Sequence, residues 1–196
     1  IFEVVGKDRV EGVWYGQVDE NFQPIENTKK FQKCDTVVLS VGLVPEMQMA
    51  KFVPISKVTN GAIVNEFYQT EKEWLSSCGN ILHVHDLVDN VALEAKQAGK
   101  FASLYAQKKL PEHSKKIDVE WTKDFSYVLP STLYEGAGQT EIKFRLREKV
   151  VKKTIVAKCN DVILGKKFIM AGVPGEMMNL TFDKNGATGK IQIEID

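Results

Sequence analysis

The chain is poor in cysteine: Cys34, Cys78 and Cys159 are the only three in 196 residues, and no two form a C-x-x-C pair. An odd number of widely spaced thiols gives no disulfide framework, so a reducing, cytoplasmic setting is expected. Net charge is also lacking, since 26 Lys and Arg balance 26 Asp and Glu. That balance argues against a protein whose main business is nucleic acid or an anionic membrane. No apolar run approaches the ~20 residues of a membrane-spanning helix, so no transmembrane segment is expected. The opening, IFEVVGKDRVEG, has no basic leader followed by an apolar stretch. With 43% hydrophobic and 27% charged residues and no low-complexity tract, the composition is that of a globular chain of one or two domains. The chain starts on Ile1, in mid-strand and without an initiator Met, and is expected to be a piece of a longer protein.

Residues 1 to 45 read as β. IFEVV and RVEGVWYGQVD alternate roughly, and ENFQPIENTKK follows as a loop. Thr36 to Val41, ended by Gly42 and Pro45, is a near-continuous β-branched run of the kind found in strands buried on both faces. EMQMAKF suggests a short helical turn, and Asn60–Gly61 a turn before a short strand at Ala62 to Asn65. One strong helix is expected from Leu87 to about Lys109, with its stripe at Leu87, Val91, Ala95, Ala98, Ala102 and Tyr105. Asp86 is the expected N-cap and Asp89 the N3 residue, while Lys108, Lys109 and Pro111 suit the other end.

After PEHSKK the pattern changes. IDVEW, FSYVLP, EIKFRLR, KKTIVAK, DVILG, KKFIMAG, EMMNLTF and KIQIEI are short runs separated by turn residues. They predict an antiparallel sandwich or barrel with no helix.

SSCGNILHVHDLVDN, residues 76–90, concentrates the chemistry: Cys78, Gly79, Asn80, His83, His85, Asp86 and Asp89. In an extended segment His83 and His85 project to one side, as chelation requires. No second half of a metal site is evident, because the third histidine, His113, is isolated; no metal is expected. Cys78 reads as a small buried thiol rather than a nucleophile. EGAGQTE mimics a dinucleotide fingerprint with Gly136 and Gly138, but Glu141 stands where the third glycine belongs, so it reads as a loop. The fuller pattern is a strand with Gly42 and Pro45, then Thr70, then Gly79–Asn80, then a helix. A helix N-terminus offers N–H groups and positive potential to an electron-rich ligand, and Gly79 lets backbone pass close to it.

These residues resemble the FAD-dependent pyridine nucleotide–disulfide oxidoreductases. VVLSVGLVPE (37–46) is similar to the strand that returns from the NAD(P)H domain to the FAD domain. TEKEWLSSCGN (70–80) is similar to the second FAD motif, and EAKQAGKFAS to the helix after it. CGNILHVHDLVDNV is closer still to a subgroup associated with anaerobic glycerol-3-phosphate dehydrogenase. YVLP and PGEM resemble that subgroup's appended C-terminal domain.

The resemblance implies an α+β chain. A partial FAD/NAD(P)-binding region of ββα type would span 1–113, and an all-β, sandwich-like C-terminal domain 114–196. It implies that Gly79 and Asn80 lie against FAD, with Asn80 standing where the family has Asp. Gly42, Val91 and Ala92 join them as cofactor-binding residues, and no catalytic residue is assigned. The full-length protein would be an enzyme passing electrons from NAD(P)H through FAD to a partner or acceptor, linked to glycerol-3-phosphate oxidation. This chain lacks both G-x-G-x-x-G motifs of the family and is expected to be inactive alone. The rival expectation is a non-catalytic β-domain that docks a dehydrogenase subunit.

Overall fold

Two short strands form where the N-terminal alternation is clearest, and a third joins them after the loop. The computed structural model describes residues 1–21, 23–40, 42–111, 114–136 and 138–196. Strands β1 (Glu3–Val5), β2 (Gly12–Tyr15) and β3 (Lys30–Lys33) make an antiparallel sheet in that order. Val13 is buried, and Trp14 meets its cross-strand partner Phe31 with ring centroids 5.0 Å apart. β3 begins at the last residue of the expected loop. The run expected to be a doubly buried strand is not one: Thr36–Ser40 has no pairing, and Val38 is 89% exposed. A β-branched run becomes a strand only when neighbours supply ladder partners, and the sheet ends at β3. Val41 lies outside the described residues.

Residues 43–87 follow a looped course. A 3₁₀ turn at Gln48–Ala50 matches the expected helical turn. The expected strand at Ala62–Asn65 reduces to single bridges at its ends, Ala62 to Ile55 and Asn65 to Thr132. Asn65 is the reason. Its Oδ1 accepts the N–H groups of Phe67 (2.9 Å) and Gln69 (3.1 Å), which turns the chain before a ladder can extend. At Gly61, a Cβ would stand 1.9 Å from the Leu82 carbonyl oxygen, so only glycine lets these two segments touch.

Helix α1 spans Val88–Ala106. Its N-cap is Leu87, which gives no side-chain cap, rather than Asp86, whose carboxylate is engaged elsewhere. Asp89 lies in the first turn, as expected. The buried face runs through Val91 and Ala98 of the expected stripe, with Glu94 and Phe101 in place of Ala95 and Ala102, while Leu87, Ala95, Ala102 and Tyr105 face outward. The stripe read by apolarity alone passed over Glu94, the most deeply buried residue of the helix. Left-handed Lys108 (φ 56°) ends it, with the Lys109 N–H returning to Leu104 O at 2.8 Å.

The remaining strands are β4 (Lys116–Trp121), β5 (Phe125–Leu129), β6 (Thr132–Tyr134), β7 (Gln139–Leu146), β8 (Val150–Cys159), β9 (Val162–Gly172), β10 (Met177–Asp183) and β11 (Lys190–Ile195). All the expected runs are strands, DVILG and KKFIMAG merging into β9. The three-residue β6, too short for periodicity to show, was not expected. Two sheets form, β10-β7-β5 and β6-β4-β11-β8-β9. Their inner faces share one core with Phe125, Ile142, Phe144, Leu146, Ile155 and Ile193 at 0% exposure. β4 and β11 pair in parallel, a departure from the antiparallel expectation. Among the described residues no helix follows β4. The loop between β6 and β7 carries Gly136 and Gly138 and opens no helix.

The chain therefore is largely β with one α-helix among the described residues. It divides into two compact units, Ile1–Gly42 and Leu43–Asp196. The expected division between 113 and 114 falls inside the second, and His113 itself is not among the described residues. A smaller core cluster explains why: Met47, Val53, Ala62, Val64 and Leu82 pack with Tyr127 and Leu129 of β5.

Candidate functional site

Gly79 starts the site. Its φ of +71° is the left-handed region that glycine enters without cost, and it opens a 3₁₀ turn, Gly79–Ile81. Leu82, 2% exposed, then anchors the chain in the smaller core. Two residues apart in the irregular stretch that follows, His83 and His85 point the same way, ring centroids 4.3 Å apart and both buried. Facing them from the second turn of α1 is Glu94, whose side chain is fully buried.

Glu94 is saturated. Its Oε1 accepts the Gly79 N–H (2.6 Å) and His85 Nε2–H (3.1 Å); its Oε2 accepts His83 Nε2–H (3.1 Å) and the Lys143 ammonium. A carboxylate only accepts, so each imidazole must carry its proton on Nε2. The chain of bonds continues outward. Arg145 Nε donates to Tyr127 Oη (3.1 Å), and the Tyr127 hydroxyl donates to His83 Nδ1 (3.2 Å). Lys143 and Arg145 are alternate residues of β7 whose intervening neighbours fill the sandwich core, so both cations face this loop. Arg145 also holds Val84 O (3.0 Å) and Asp86 Oδ1 (2.5 Å), and the second Asp86 oxygen accepts the Met177 N–H (2.7 Å). Residues 79–94 are thus tied to β5, β7 and β10 at two charged points.

The electrostatics follow from these partners. Burial alone would raise the Glu94 pKa, but the His83 hydrogen bond and the Lys143 charge outweigh it and hold the group at about 2. Burial, then His83, push His85 below the usual histidine range, so it is neutral. Among the described residues its buried Nδ1 has no hydrogen-bond partner. Asp86 is held below the carboxylate range despite burial, by the Arg145 and Met177 bonds. Burial and then Glu94 raise the Cys78 thiol, which disfavours the thiolate a nucleophile needs.

Of the residues expected to contact a cofactor, Gly79, Asn80, Val91 and Ala92 belong to the second unit, and Gly42 (φ 85°) is the last residue of the first. Gly79 and Val91 adjoin: a Cβ on Gly79 would meet Val91 Cγ1 at 3.4 Å. Asn80 is exposed and its Oδ1 accepts the His85 N–H (3.1 Å), while Ala92 faces outward. His83, His85 and Glu94 each offer a ligand atom within 4.8 Å of the others and could hold a metal ion. A void of about 20 Å³ beside them is lined by His83, Glu94, Lys143 and Tyr68 among others. A second cavity of about 190 Å³ reaches Val58, Thr59, His83, Tyr127 and Arg145. Glu94, Tyr127, Lys143 and Arg145 were not expected here. One signal for Glu94 was present, an acid three residues after Val91 and four before Ala98, inside a run of small residues.

No family model matches the chain, and no curated protein or solved structure matches it significantly.

Proposed function

We propose that the chain is the C-terminal part of an FAD-dependent oxidoreductase, in which the Gly79–Asn80 turn and the N-terminus of α1 help to hold the flavin. One observation carries this reading: Gly79, left-handed and bonded through its N–H to buried Glu94, is fixed beside a helix whose N-cap, Leu87, supplies no side-chain hydrogen bond. Of the first-turn N–H groups, that of Asn90 returns to Leu87 O at 3.1 Å, and those of Val88 and Asp89 have no helical carbonyl to bond and are left for a ligand or solvent. Those features suit FAD: glycine for close approach, an amide at Asn80 for a polyol hydroxyl, and helical positive potential for an anionic ring edge.

When bound, FAD would supply the electron transfer, accepting hydride from NAD(P)H and passing electrons to an acceptor linked to glycerol-3-phosphate oxidation. The protein's own part is positional. Glu94, Lys143 and the two histidines keep the turn in place, and Asp86 with Arg145 keeps the helix entrance in place.

The test is purification of the longer gene product that contains this sequence. It should carry flavin absorbance bleached by NADH or NADPH, and Gly79→Val should reduce its flavin content. The 196-residue chain alone should bind FAD more weakly than micromolar. A longer product that neither retains nor takes up FAD refutes the reading.

A second reading, a β-region that docks a dehydrogenase subunit, is favoured by the edge strand β9, where Val162, Ile163, Phe168 and Met170 are exposed. Capture of that subunit by the chain, lost in Phe168→Glu, supports it; equal capture by both refutes it.

A further inference from the structure

We propose that His83, His85 and Glu94 form a binding site for a divalent transition metal, zinc by donor type, and that Lys143 is a built-in cation competing with it. The H-x-H pair lacked a third ligand in sequence, and the fold supplies one from α1. The two contacts from imidazole Nε2 to Glu94 are 3.1 Å. Ligands about 2.1 Å from a tetrahedral zinc are separated by roughly 3.4 Å; the imidazoles meet different Glu94 oxygens, and one ligand atom from each of the three residues lies within 4.8 Å of the others, so the groups receive an ion by closing on it.

The surroundings fit. His83 has the outer partner expected of a metal-bound imidazole, since with its proton moved to Nδ1 it would donate to Tyr127 Oη, now 3.2 Å away. His85 Nδ1 has no partner among the described residues, so its N–H would need a water or a small shift to be satisfied once Nε2 holds the ion. The void of about 20 Å³ lined by His83 and Glu94 is large enough for one water as a fourth ligand. What opposes the ion is Lys143, which places its ammonium on Glu94 Oε2. That side chain has another place to go: Tyr68 Oη lies 3.3 Å from Nζ, and the Tyr68 ring centroid 5.6 Å. The Lys143 side chain is 11% exposed. Two imidazoles and a carboxylate suit zinc or ferrous iron rather than calcium or magnesium.

The experiment is zinc titration of the chain at neutral pH, with Co²⁺ absorbance as a second readout of tetrahedral binding. One zinc per chain is expected. Lys143→Leu should bind it on the order of tenfold or more tightly, because the competing charge is gone. Its Tm should fall without metal, where Glu94 is left uncompensated, and recover with zinc. Lys143→Gln serves the same purpose if the leucine variant does not fold. Adding Glu94→Gln to either should abolish binding and rescue. The proposal is overturned if the Lys143 variants take up zinc no more tightly than the parent, or if binding survives Glu94→Gln. Flavin is absent throughout, so neither outcome bears on the flavoprotein reading.

Discussion

Replacing Glu94 by Gln removes one charge and almost no volume, yet should be among the most damaging changes in the chain. The carboxylate has no exposure and serves four donors: the Gly79 N–H, both imidazoles and Lys143. An amide presents one acceptor oxygen and turns an NH₂ toward groups that are themselves donors, while Lys143 is left as a buried, unpaired cation. Two estimates agree on the size. Breaking a buried pair by removing one partner costs about 3–5 kcal/mol. A carboxyl whose pKa falls from 4.5 to about 2 contributes about 3 kcal/mol at neutral pH, at about 1.4 kcal/mol for each factor of ten. For a chain of this size that is a loss of roughly 6–12 °C in Tm.

The sign with pH is also set. The folded pKa lies below the unfolded one, so the contribution is complete above about 4.5 and disappears as pH falls toward 2. Urea unfolding of the parent and Glu94→Gln across this range should show a constant gap from pH 7 to about 5, narrowing below. A gap under about 1 kcal/mol at pH 7, or one that does not shrink in acid, would refute the idea that Glu94 is the ionised hub of this network.

Three further outcomes are expected. Gly61→Ala should cost more than 3 kcal/mol or prevent folding, because its Cβ would lie 1.9 Å from the Leu82 carbonyl oxygen, and an alanine variant of parental Tm would contradict that packing. His85 should stay neutral in an NMR titration through the pH at which free histidine is half-charged. Since its folded pKa is lowered, it withdraws stability as pH falls below about 6.5, and a midpoint at or above that value would exclude the buried, neutral ring. Phe144→Ala, at 0% exposure between the two sheets, should cost about 3–5 kcal/mol by urea denaturation, and a cost below about 1 kcal/mol would mean the sandwich core is not there.

Sequence alone determined the elements whose pattern is local. Ile142, Phe144 and Leu146 alternate with Lys143, Arg145 and Arg147, and a strand with one buried face is the one way to satisfy that period. The long helix near Leu87–Lys109 was legible for the same reason, as was the shared direction of His83 and His85. Tertiary structure decided whatever depended on a partner distant in sequence. The run at Thr36–Val41 has strand composition, but its described part, Thr36–Ser40, has no neighbour to pair with among the described residues, so composition misled. Asp86 has the chemistry of an N-cap, but Arg145 and the Met177 N–H, 59 and 91 residues away, offer it two charge-assisted or backbone bonds instead of one. Glu94 lies outside the apolar stripe that the sequence predicts. It is buried because Lys143, 49 positions on, and the imidazoles of His83 and His85 supply the donors that a carboxylate needs before it can leave water. Such a charge can be placed only by the assembled fold, since none of its partners is visible at helical or strand spacing.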